Sequence, residues 1–135
     1  AWERYRRPVA VTEAHLGCSR EDQVRWLAEV WSAALTAREA GADVRAVTAW
    51  SLLGAHDWHC LLTRREGHYE PGAFDLRGPA PRLTAVGRLA STLARGNAPD
   101  HPLLADPGWW RRPERLLYPS WLPTNAAGEA PSPAP

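Results

Sequence analysis

Methionine and lysine are absent from this chain, and phenylalanine occurs once. A chain that begins Ala-Trp-Glu and has no Met is expected to be processed or truncated at its N-terminus. With no Lys, every basic residue is Arg, and the formal net charge is only +1. That balance argues against nucleic acid or an anionic membrane as partner. Nowhere do about 18 apolar residues run together, and no charged-then-apolar leader precedes Val9, so neither a membrane span nor a secretory signal is expected. The two cysteines, Cys18 and Cys60, are too few for a disulfide framework and fit two free thiols in a reducing cytoplasm. His56, His59, Cys60 and His68 lack the paired spacing of zinc sites, so no metal is expected. The Gly-rich fingerprint of dinucleotide binding is also missing, and no cofactor is expected.

What is present is tryptophan, eight residues in a chain of 135. Trp is seldom fully buried, and its flat amphipathic ring suits both interfaces and the faces of sugar rings. Pro8 to Thr12 is a short apolar, β-branched run that reads as a buried strand. The polar loop Glu13-Ala-His15-Leu-Gly17 follows, and Ser19 then caps a helix, with acidic residues in its first turn. Val24, Leu27, Val30, Trp31, Ala34 and Leu35 recur at helical spacing, and Gly41 stops the helix. Val44 to Trp50 is a second strand. This β–loop–α–β order favours a parallel sheet with a helical crossover. A long irregular stretch from Gly54 to Pro81 comes next, and loops of that length are usually functional or structurally special. Leu83, Val86, Leu89, Ala90 and Leu93 mark a second helix that ends near Gly96. Trp109-Trp-Arg-Arg-Pro113 reads as an anchoring segment laid over a surface, and the residues from Pro119 on as a disordered tail.

A glutamate at the C-terminal end of a buried parallel strand holds the position where (β/α)-barrels carry their active sites. Hydrolysis of a glycosidic bond with retention needs two carboxyl groups about 5 Å apart, one nucleophilic and one acid–base. Glu13 suits one of these roles by position. By position alone it suits a helix-cap partner or a salt bridge at least as well.

Two motifs sharpen the choice. Pro8-Val-Ala-Val-Thr-Glu13 resembles the seventh-strand motif of glycoside hydrolase family 1, in which an apolar strand ends in Thr-Glu. Ala49-Trp-Ser-Leu-Leu-Gly-Ala-His-Asp-Trp58 resembles that family's eighth-strand motif, Trp-Ser-Leu-Leu-Asp-Asn-Phe-Glu-Trp. Trp26 to Val44 is similar to the intervening helix, and Arg77 to Gly96 to the final one. The resemblance implies an α/β fold, the last two βα units of a TIM (β/α)8 barrel, in a fragment of a β-glucosidase-like enzyme. It implies Glu13 as the catalytic nucleophile, and Trp50, Asp57 and Trp58 as residues that line the sugar site. His15 and His56 would border that site. They depart from the family, which has Asn-Gly after its nucleophile where this chain has Ala14-His15, and an aromatic where His56 stands. The acid–base residue of the fourth strand would lie in the remainder of the barrel, the partner this chain needs besides its carbohydrate substrate.

The stretch Glu66 to Asp75 resembles a variant form of the family, found in bacterial chains that continue into a dTDP-4-dehydrorhamnose reductase-like domain. That implies a second reading, a non-catalytic sugar-binding or regulatory barrel attached to nucleotide-sugar metabolism. On either reading the chain divides into a barrel part at 1–96, an anchoring segment or linker at 97–118 and a Pro-rich tail at 119–135.

Overall fold

The computed structural model describes residues 1–116. The expected tail and the end of the anchoring segment lie outside them. A short helix α1 (Trp2–Tyr5) leads into strand β1 (Val9–Ala14), helix α2 (Arg20–Glu39) and strand β2 (Val44–Ala49). β1 and β2 pair in parallel, and α2 is the crossover between them. The order matches the periodicity in the sequence, with β1 ending two residues beyond the apolar run.

α2 begins where the sequence signals it. Ser19 caps it, with Oγ accepting from the Asp22 N–H at 3.3 Å. Asp22 and Glu21 place negative charge in the first turn, where the helix dipole favours it. At the other end Gly41 takes a φ of 90°, a left-handed turn that a residue with a Cβ adopts only under strain. α2 buries Val24, Leu27 and Ala28 against Ala14 of β1 and against Val86, Leu89 and Leu93 of helix α3 (Ala85–Ala94). Val11, Val47 and Ala49 of the strands close this core from the sheet side. Each fully buried aliphatic side chain contributes about 1.5–3 kcal/mol, so this one cluster is the main stabilising feature of the described residues.

The pairing of β1 with β2 is irregular in a way that sets the direction of Glu13. Val11 pairs with Val47 and Ala14 with Ala49, so three steps along β1 oppose two along β2. The extra residue is a bulge at Thr12–Glu13. Val9 and Val11 are half-buried, Val11 against the core shared with the helices, and simple alternation would send residue 13 the same way. The bulge instead buries Ala14 and leaves Glu13 exposed.

Beyond β2 the chain forms two small antiparallel pairs, β3 (Ala55–His56) with β4 (Tyr69–Glu70), and β5 (Phe74–Asp75) with β6 (Arg82–Leu83). They sit close to the end of β2. Ala73 and Phe74 donate backbone bonds to the Ser51 and Leu52 carbonyls at 2.7 and 2.8 Å. Gly54 and Gly72 meet here with no room for a side chain. A Cβ on Gly54 would strike the Glu70 carbonyl, and one on Gly72 the Ser51 carbonyl. The peptide between Trp50 and Ser51 is cis. After α3, short turns at Pro102–Ala105, Trp109–Arg111 and Pro113–Leu116 follow, the first packing Leu103 and Leu104 on the core.

The segment expected to anchor on a surface lies along α2. Trp110 Nε1 donates to Glu29 Oε2 at 2.8 Å, and Arg111 Nε to Glu29 Oε1 at 3.0 Å. The Trp110 ring meets Trp26 edge-on, with centroids 5.2 Å apart.

Candidate functional site

The C-terminal ends of β1 and β2 come together through one backbone bond, from the Trp50 N–H to the Ala14 carbonyl at 3.3 Å. That bond sets His15 beside Trp50, with ring centroids 4.5 Å apart. Trp58 continues the row, its ring 4.8 Å from that of Trp50 and tilted by 35°. Three of the expected site residues, His15, Trp50 and Trp58, thus form a continuous aromatic strip. Glu13 precedes His15 by two residues, at the end of β1.

Two bland roles were open to Glu13, helix cap and ion pair. Ser19 performs the capping, and among the described residues Glu13 makes no side-chain hydrogen bond or ion pair. The carboxylate is exposed at the end of β1.

Asp57 is engaged by the loop that follows it. Its side chain is 7 % exposed, and its oxygens accept the backbone N–H groups of Glu66, Gly67 and His68 at 3.1, 2.9 and 2.7 Å. Those bonds, led by the one from Gly67, hold its carboxyl below the usual carboxylate range. Asp57 itself has a left-handed φ of 53°. It is the clasp of the 57–68 loop, and the sugar contact expected of it has few lone pairs left to use. His56 likewise faces elsewhere, its ring 5.0 Å from that of Tyr69.

Behind the strip lies a groove of about 490 Å³ between the start of α2 and β4. Glu70, Gln23, Arg20 and Cys18 line it. Gln23 Nε2 donates to Glu70 Oε1 at 2.6 Å and to the Leu16 carbonyl at 3.2 Å. His15 Nε2 lies 3.2 Å from the same Glu70 oxygen, but off the line a hydrogen bond requires, so this buried nitrogen has no partner. Arg20 donates to the Pro71 carbonyl at 2.7 Å. Burial, aided by Asp22 and Glu70, pushes the Cys18 thiol up to about 11, so it stays protonated and unreactive at neutral pH.

Gln23 and Glu70 were not singled out from the sequence. The signal for Gln23 was present, since a polar residue one step before Val24 interrupts the buried face of α2. Glu70 gave none, because only the folded loop brings it to His15. The loop also gathers His59, Cys60 and Glu66, a set that the spacing did not announce.

No family model matches this chain, and no curated protein or solved structure matches it. No helix among the described residues is long and apolar enough to cross a membrane.

Proposed function

We propose that this chain supplies strands seven and eight of a β-glucosidase-like (β/α)8 barrel that hydrolyses O-glycosyl bonds with retention in the cytoplasm. The observation that carries the reading is the bulge in β1. It breaks the alternation that would bury Glu13 with Val11, and leaves the carboxylate exposed at the end of β1, two residues before the aromatic strip begins at His15. On this reading that strand end opens into the mouth of the barrel.

In this mechanism Glu13 attacks the anomeric carbon as a carboxylate. The bond from that carbon to the leaving oxygen breaks, and a second carboxyl group protonates the departing oxygen. That proton donor belongs to strand four, in the remainder of the barrel. Water then hydrolyses the glycosyl ester, with the second group acting as base. Trp50 and Trp58 offer π faces to the C–H face of a pyranose, while His15 sets the tilt of Trp50. Asp57 acts indirectly, by fixing the loop that carries Trp58.

The test is turnover of aryl β-glycosides by the whole protein that contains this chain. Glu13→Gln should lower kcat by at least about a thousandfold, the scale on which removing a catalytic group acts. Sugar binding without turnover, equal in both forms, would leave the binding barrel as the function.

A further inference from the structure

We propose that His59, Cys60 and Glu66 form a binding site for a divalent transition metal of the zinc type. One ligand atom from each residue lies within 4.8 Å of the other two. His59 Nε2 and Glu66 Oε2 are 2.8 Å apart. Tetrahedral zinc with bonds of about 2.0–2.3 Å holds its ligand atoms roughly 3.3–3.6 Å from one another, so shifts of about an ångström seat the ion. The donor set is one imidazole, one thiolate and one carboxylate, a mixture that favours zinc over magnesium or calcium.

The loop is built before any metal arrives. The Asp57 carboxylate gathers the N–H groups of Glu66, Gly67 and His68 and so fixes where Glu66 stands. Cys60 is held from the other side by its own turn, with Sγ directed at the Arg64 carbonyl at 3.5 Å and the Thr63 N–H bonded to the Cys60 carbonyl. Cys60 is a free thiol, so it is available as a ligand. Arg64 pairs with the other oxygen of Glu66 and is itself mostly exposed. Its guanidinium offsets the Glu66 charge and can swing into solvent when a cation takes its place. The His68 ring meets His59 edge-on at 5.5 Å and so limits how far the His59 ring can turn. Trp58 directly precedes His59, so a bound metal would stiffen the segment that carries this tryptophan.

The experiment is a titration of the purified chain with Co²⁺, followed by absorption spectroscopy and then by displacement with Zn²⁺. The expected result is a one-to-one complex with a thiolate-to-cobalt charge-transfer band and visible bands of tetrahedral intensity. Cys60→Ser removes the charge-transfer band, Cys18→Ala keeps it, and Glu66→Gln weakens binding about tenfold or more. No charge-transfer band in the unaltered chain would overturn the proposal, as would a band retained in Cys60→Ser or unchanged affinity in Glu66→Gln. Circular dichroism checks each fold. Cys60 is buried whereas Glu66 is half-exposed, so Glu66→Gln alone decides if Cys60→Ser does not fold.

Discussion

Two carboxylates near the strand ends, Glu13 and Asp57, separate by what surrounds them. Asp57 is buried under three backbone donors, and Glu13 has no partner among the described residues. The difference gives opposite expectations for the two substitutions. Asp57→Ala should speed hydrogen exchange at the amides of Glu66, Gly67 and His68, which lose their acceptor, and should lower the melting temperature. Glu13→Gln should leave both unchanged, since it removes no contact. A folded-state pKa depressed by hydrogen bonds means that Asp57 stabilises the loop above its unfolded value of about 3.9. That stability is lost as pH falls through the depressed value. Asp75 follows the same sign, held ionised by hydrogen bonds from Arg77 and then from Arg82. Protection of the 66–68 amides, taken relative to their intrinsic exchange rates, should therefore persist at neutral pH and be lost only in strong acid. Fast exchange already at pH 7 would remove the clasp role.

The pairing of α2 with β1, β2 and α3 is where the sequence spoke most clearly. Ser19, Gly41 and the row from Val24 to Trp31 gave the helix, its ends and its buried face, because caps and periodicity are local signals. Leu35 shows the limit of such reading: it lies on the same stripe yet is 39 % exposed, beyond the reach of α3. The bulge at Thr12–Glu13 was invisible, since it depends on how β1 registers against a strand thirty-odd residues away. So was the fate of Asp57, because its partners are backbone groups that only the closed loop presents. Leu27→Ala should cost about 2–5 kcal/mol in denaturant unfolding, the range for a truncated core leucine. Glu29→Gln should detach the Trp109–Arg111 turn from α2 and expose it to limited proteolysis. Arg111 and then Trp110 lower the pKa of Glu29, so this docking holds above the ordinary carboxylate range and weakens as pH drops below it. Equal cleavage of both forms at neutral pH would show that Trp26 and Trp110 alone hold the turn.

At the scale of the whole molecule, the described residues cover the sheet on one side only. Ala10, Thr12, Ala46 and Thr48 are exposed opposite the helices, and two parallel strands leave two open edges. In the proposed barrel these small side chains would point inward and both edges would be paired. The chain of 135 residues by itself is therefore expected to self-associate, and sedimentation velocity should show species larger than a monomer. A single sharp monomer boundary would argue that the exposed face needs no cover. The same chain is expected to show no glycosidase turnover, because it lacks the proposed strand-four proton donor. The most direct test of the central claim uses the whole protein that contains this chain and a 2-deoxy-2-fluoro glycoside. Fluorine destabilises the oxocarbenium-like transition states and lets the glycosyl ester accumulate. Peptide mass spectrometry should then find one sugar attached to the peptide containing Thr12-Glu13-Ala14, and no label in Glu13→Gln. Robust hydrolysis with the label on another carboxylate, or no label and no turnover across a broad panel of glycosides, would contradict Glu13 as the nucleophile.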